Sequence, residues 1–383
     1  MKPDFTETET CLIEKAKQIS AYVLTPVAEA TDRGSRPNST HFRALGEAGM
    51  AGLSLPTLWG GSDISSLAQR EIIEALASGC GVTCFTLMQH HGSSRMIANS
   101  KAEALKACVL PYLAKGNSYC AVSFAHLRRP GKPVLTATPV DGGYRLSGTA
   151  PWVTGWGLMN QVVIGAELPD ARHIYLWIPQ DREDFAELFD DVSAPEQNWG
   201  EAIASDPLPL CAMNASSTVE LTLTDYFVPE IHFLHHSDRE TMQRNDRNNV
   251  LGPTAAPLGC ALASLRVLDG LAEKRNLPAI HESFGLLSEE YSRLKSAVLE
   301  DLQTSSDNIN LEKVLALRAE VILLAQRGAL SACAASSGAA NSLSHPSQRL
   351  LREAMFYSVQ AQTQDVMSAT LSALSCSVTK TAE

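Results

Sequence analysis

The hydrophobic period changes twice along the 383-residue chain, from helical to alternating and back to helical. A stretch that repeats every three to four residues buries one stripe of a helix. One that alternates buries one face of a strand. The order α, then β, then α therefore predicts an α+β fold with helices on either side of a middle sheet.

The first part, to about residue 118, reads as helices. Leu12, Ala16, Ile19 and Val23 fall on one helical face, with Pro26 as the stop. A second helix starts at Ser39 and Thr40, good N-cap residues, and ends at Gly49. After the turn Leu58-Trp59-Gly60-Gly61-Ser62, a stripe of Ala68, Ile72, Ala75 and Leu76 runs out at Gly79 and Gly81. One or two further helices are expected over Lys101 to Lys115, interrupted by Pro111.

From Tyr119 to about Leu234 the period is two. Tyr144-Arg145-Leu146-Ser147 and Val219 to Thr224 alternate, and Ile174 to Ile178 is a short buried-strand run ended by Pro179. Asp141-Gly142-Gly143 supplies a hairpin turn. Asp181 to Pro209 reads as an acidic loop, and His235 to Asn249 as a polar link. Helical period then returns in three long helices: one beginning with Leu258, Leu262, Leu265 and Leu268, one over Leu311 to Ser336, and one over Gln348 to Leu374.

Charge narrows the function classes. A formal charge of −11 offers no broad basic field for nucleic acid and is repelled by anionic lipid, so small-molecule or protein partners are expected. The nine cysteines include no CxxC pair, which argues for reduced thiols and against a zinc site. MKPDFTETET carries acids and no apolar core, so no signal peptide is expected, and no run of about 20 apolar residues is apparent. A cytoplasmic chain is the expectation. No GxSxG, P-loop, HExxH or GxGxxG motif is present, and the doublets His90-His91 and His235-His236 lack ligand spacing.

Five blocks in order carry a resemblance. They are Phe42 to Met50 with Leu55-Pro56 and Gly60-Gly61, Val109 to Gly116, Gly143-Tyr144-Arg145-Leu146-Ser147-Gly148-Thr149-Ala150-Pro151-Trp152-Val153-Thr154, Val219 to Pro229, and His345 to Ala354. With these the chain resembles the acyl-CoA dehydrogenase family over nearly its whole length. The resemblance implies an N-terminal all-α domain (1–118), a middle β-barrel-like domain (119–235) and a C-terminal helical bundle (236–383). It also implies FAD, an acyl-thioester substrate and a homodimer or homotetramer with flavin sites shared between subunits.

By the same resemblance, Trp152 packs beside the flavin ring and the Thr154 hydroxyl bonds its N5, where the redox chemistry occurs. Val122 and Ser123 stand on the strand that contacts the flavin. Arg275 matches an arginine that reaches the FAD pyrophosphate of a neighbouring subunit, for which the guanidinium fork is suited. Gly338 is the surviving glycine of the loop that cradles the adenosine diphosphate, and Thr363 matches a further FAD contact.

The departures are as informative. The family removes an α-proton with a glutamate while a hydride leaves for N5, and without a base that proton has no acceptor. Most members carry the glutamate where this chain has Ala361, on a helical face with Leu350, Ala354 and Tyr357; a minority carry it where this chain has Asn249. The only nearby carboxylate, one turn before Asn249, is Asp246, which reads either as a substitute base or as a solvated charge in a polar segment. The loop Ser123-Phe124-Ala125-His126-Leu127-Arg128-Arg129-Pro130 replaces the usual T-E-P-x-x-G-S-D, and its arginine pair is either a phosphate site or a solvated surface. Three functions stay open on these residues. They are a flavin-dependent oxidoreductase with a displaced or lost base, a monooxygenase-like branch that needs no such base, and a non-catalytic binding homologue.

Overall fold

The computed structural model describes residues 4–34, 39–188, 199–303 and 309–376. The first helices are α1 (Glu7–Ile19), α2 (Ala28–Asp32), α3 (Ser39–Glu47), α4 (Ser66–Gly79), α5 (Gly81–Ala98) and α6 (Glu103–Lys115). A capping box starts α1: the Thr6 hydroxyl accepts from Glu9 N, and the Glu9 carboxylate accepts from Thr6 N at 2.9 Å. The carboxylate also accepts from Ser65 N at 2.8 Å, which ties α1 to the start of α4. Gly61 is required there, because a Cβ would lie 2.0 Å from the Leu55 carbonyl oxygen.

One element is missed and one expectation fails in this region. The stripe ending at Gly79 and Gly81 is followed at once by α5, whose sides are nearly all buried. Its small and polar residues (Thr83, Thr86, Ser93, Ser94) show no amphipathic period because almost no side faces water. Pro111 does not divide the next segment either. It sits inside the single helix α6, which Gly116 ends in the left-handed region.

Among the described residues eight strands follow: β1 (Cys120–Ser123), β2 (Leu135–Val140), β3 (Gly143–Val153), β4 (Gln161–Glu167), β5 (His173–Pro179), β6 (Glu201–Ala204), β7 (Val219–Pro229) and β8 (Phe233–Ser237). They form one sheet in the order β6-β7-β3-β2-β4-β5-β8, with β1 parallel to β4. The hairpin at Gly142 (φ 74°) joins β2 and β3 as its sequence requires. Strands β4 and β5 are buried on both faces, except at Glu167. The acidic stretch read as a loop contains β6, which pairs with β7; residues 189–198 lie outside the described ones. The polar link holds two elements, the end of β8 and then α7 (Arg239–Asn248), capped by Asp238.

The remaining helices are α8 (Ala255–Arg275), α9 (Pro278–Leu302), α10 (Leu311–Ser336), α11 (Pro346–Phe356) and α12 (Gln364–Cys376). Two sequence expectations change here. Hydrophobic spacing alone does not separate α9 from its neighbour, although Asn276 in the left-handed region and Pro278 at the first turn divide them. The last long helix is two, since α11 stops at Phe356 and α12 begins only at Gln364. Ala361 therefore lies in the intervening turn with φ 48°, and does not share a helical face with Leu350.

Helix α8 is the axis of the bundle, packed on α4, α9, α10 and α11. Gly259 lets it touch α4, since a Cβ there would lie 2.4 Å from the Glu74 carbonyl oxygen. Contrary to the expectation of no such run, the helical span Gly252–Arg275 is long and apolar enough to cross a bilayer. Yet 67% of its most apolar window is buried within the protein. Ion pairs bind the layers. Lys295 on α9 reaches Glu71 and Glu74 on α4 at 2.8 and 2.9 Å, and Arg349 on α11 reaches Glu29 and Glu353 at 3.0 and 2.8 Å.

Candidate functional site

The last residues of β3 are displaced from their regular register. From Ala150 to Val153 the strand advances three residues while β7 advances two, from Leu221 to Val219. The extra residue is a bulge, and Pro151, with no N–H to pair, is suited to it. The bulge turns Trp152 outward, 42% exposed, at the end of a strand whose other aromatic residue, Tyr144, is half-buried. Two residues on, Thr154 is buried.

The Thr154 hydroxyl is part of a chain. Its Oγ1 is 3.1 Å from Thr218 Oγ1, which is 2.7 Å from Ser216 Oγ. All three residues are buried. Backbone bonds fasten the same region, with Gly155 N donating to the Ser216 carbonyl at 2.8 Å and Trp156 N to the Ser217 carbonyl at 3.1 Å. Sequence reasoning misses Ser216 and Thr218. The available signal is the hydroxyl-rich run Ser216-Ser217-Thr218 immediately before β7, which gains meaning only when paired with a residue 64 positions earlier.

On β1, Val122 is half-buried and Ser123 is buried, with a hydroxyl that has no hydrogen-bond partner among the described residues. A buried hydroxyl left unsatisfied is costly, and a ligand atom can satisfy it. An outward-turned indole, a hydroxyl at the end of a buried chain and an unsatisfied serine are the residues of the middle domain that could meet the ring of a flavin. The diphosphate half would fall to other residues. Arg275, at the end of α8, donates to Ser337 Oγ at 3.1 Å, beside Gly338. Both Arg275 and Gly338 are exposed, and a Cβ on Gly338 would meet nothing within 4 Å. Arg275 and Gly338 are thus brought together in the C-terminal helices, on elements separate from the β-domain strands that carry Trp152 and Thr154.

The two positions that could carry a base also converge. Arg318 on α10 donates to the Val250 carbonyl at 3.0 Å, next to Asn249, and to the Gln360 and Ala361 carbonyls at 3.0 Å each. Burial lowers the Arg318 pKa to about 10, which leaves it charged at neutral pH. Beside it is a cavity of about 210 Å³ lined by Arg128, Arg239, Met242, Asp246, Val250 and Thr363, among others.

Within that cavity Asp246 is not free. Arg128 grips it in a bidentate pair, Nε to Oδ2 at 2.9 Å and Nη2 to Oδ1 at 2.8 Å. Burial opposes the Arg128 charge, and the bonded carboxylate more than offsets that. The sequence suggests a phosphate ligand or a solvated charge for Arg128 and a solvated charge for Asp246; each is instead the other's partner. Thr363 has a local task too, since its hydroxyl accepts from Val366 N at 3.2 Å and caps α12.

The histidine doublets are structural in their contacts. His90 and His91 are buried; His90 Nδ1 accepts from Cys120 N at 3.3 Å and His91 Nε2 meets the Met50 carbonyl at 2.7 Å. Burial lowers their pKa values to about 3 and about 4. His235 stacks on Tyr175 at 4.4 Å.

Comparison with known proteins agrees with this architecture. Residues 6–117 match the family model "Acyl-CoA dehydrogenase, N-terminal domain". The fold is that of butyryl-CoA dehydrogenase from Megasphaera elsdenii, with a TM-score of 0.80 at 17% identity over 98% of this chain and 100% of that one. Residues 6–117 thus match that family's N-terminal domain, and the chain as a whole has the acyl-CoA dehydrogenase fold. A 2-methylacyl-CoA dehydrogenase of Solanum tuberosum is 23% identical over 94% of this chain and 88% of its own length. An acryloyl-CoA reductase (NADH) of Anaerotignum propionicum is 26% identical, over 42% of each chain.

Proposed function

We propose that the protein is a flavin-dependent oxidoreductase that takes FAD and acts on an acyl thioester or a related carbonyl compound. The observation that carries this is the bulged end of β3, which turns Trp152 out while holding Thr154 at the end of a hydroxyl chain. Bound there, a flavin would supply hydride acceptance or oxygen activation at N5 and C4a. Trp152 would cover the ring edge, Thr154 would hold a proton at its polar edge, and the Ser123 hydroxyl would gain the partner it lacks. Arg275 and Gly338 would meet the diphosphate, in a neighbouring copy as the family resemblance implies, with Thr363 as a further contact.

A second copy is also favoured by the apolar face of α12. Met367, Leu371 and Leu374 lie on one side of that helix and are 40–57% exposed. A homodimer or homotetramer is proposed on that ground, and a cytoplasmic location on the composition alone.

A specific observation favours a second reading of the chemistry. Ala361 and Asn249 offer no base, and Asp246 is held by Arg128. An oxygen-using, monooxygenase-like reaction needs no α-proton base and is compatible with all three. The deciding experiment loads the purified protein with FAD and mixes it anaerobically with a series of acyl-CoA thioesters. Bleaching of the flavin band supports dehydrogenation. A loaded protein that no thioester bleaches, but whose chemically reduced form gives a C4a-oxygen adduct with air, supports the second reading. Failure to retain any flavin removes the first reading and leaves transient use of a reduced flavin supplied by a partner, or a non-catalytic binding role.

A further inference from the structure

We infer that Ser216 and Thr218 are positioning residues that fix the direction of the Thr154 proton, making Thr154 a dedicated hydrogen-bond donor; the inference rests on the flavin reading above. Three hydroxyls joined by two bonds hold three protons, so one proton is left to donate outside the chain. If both ends donated to Thr218 it would be left on the middle hydroxyl, which is buried and has no other partner among the described residues, so the proton falls to one end. If the chain ran from Thr154 to Ser216, that proton would be on Ser216. Ser216 is fully buried, and Thr218 is the one partner of its hydroxyl among the described residues. A donor left there without an acceptor incurs the full desolvation penalty. Run the other way, Ser216 donates to Thr218 and Thr218 to Thr154, and the outward proton is on the residue two positions from the exposed indole.

The consequence is a donor whose orientation is set before any ligand arrives. Pre-oriented dipoles need no rearrangement when charge develops next to them, which is where their effect on a bound ring originates. Hydrogen bonds in a row also polarise one another, so the terminal donor is stronger than an isolated threonine.

The test uses the full chain loaded with FAD, with dissociation constants from flavin fluorescence and the position of the visible band as readouts. Ser216→Ala removes the first donor and lets Thr154 turn its proton back onto Thr218. Thr218→Val breaks the chain in nearly the same shape. Each is expected to weaken FAD binding by about threefold to tenfold, the scale of one hydrogen bond, and to shift the band as Thr154→Val does. Thr218→Ser keeps the hydroxyl and is expected to match the parent protein in both readouts. A packing role alone would leave the band of Ser216→Ala unmoved. Band shifts in Thr154→Val with none in Ser216→Ala or Thr218→Val would overturn the relay and leave the flavin site standing. A parent protein that takes up no FAD would overturn both.

Discussion

Arg128 and Asp246 bridge the middle domain and α7 through two hydrogen bonds, across the wall of the cavity beside Arg318. Both side chains are partly shielded, at 32% and 20% exposed, so the pair is neither a solvated surface contact nor a fully dry one. Asp246→Asn would leave a guanidinium with half its partner. We expect a loss of about 1–2 kcal/mol in urea unfolding, between the surface and buried limits. The double variant Arg128→Ala/Asp246→Asn is expected to lose less than the sum of the singles, and additive losses would mean that the pair contributes nothing.

On the proposed reading, Ala361 stands where a carboxylate would serve the dehydrogenation step. The turn is held by the Gln360 and Ala361 carbonyls, so a longer side chain at 361 leaves its anchoring intact. In FAD-loaded protein, Ala361→Glu is expected to raise the rate of flavin bleaching by an acyl-CoA at least ~10-fold, toward the general-base range of about 10²–10⁴. An unchanged rate in a variant that still binds FAD would place the chemistry elsewhere.

The buried histidines make stability depend on acid. His90 and His91 have folded pKa values lowered by burial to about 3 and about 4, from the ordinary 6.5. The unfolded chain therefore binds more protons below pH 6.5. Their neutral burial is fully tolerated above that pH, and stability falls as pH drops from 6.5 toward 4. Each contributes a loss of roughly 2 kcal/mol between pH 6.5 and 5. Urea midpoints across that range should fall, and His91→Gln should flatten the slope.

Two glycines of α8 should respond in opposite directions. Gly259→Ala puts a methyl against the α4 backbone and is expected to cost about 1–3 kcal/mol. Gly270 is exposed, and a Cβ there would meet nothing within 4 Å, so Gly270→Ala is expected to add about 0.5–1 kcal/mol through helix propensity. Thermal melts of the two variants check the signs.

The fold is legible in the sequence where local pattern and burial coincide. The Asp141-Gly142-Gly143 hairpin, the alternation of β7 and the buried stripe of α4 each carry their own signal. Helix α5 carries none because it is wrapped on nearly all sides, and α7 carries little because it is polar nearly all round. The break after Phe356 is masked by Tyr357 and Ala361, which continue a helical spacing the backbone does not follow. The candidate site is legible residue by residue through family blocks. What links those residues is not, because Thr154 with Thr218 and Arg128 with Asp246 are contacts across 64 and 118 positions.

The Arg318 contacts grip main-chain oxygens on both flanking segments and no side chain. The backbone at 361 thus forms a socket whose shape is independent of its occupant. A methyl, an amide or an acid can be seated there without losing these contacts, so on the proposed reading the chemistry at this address can be exchanged while the scaffold around it is left as it is.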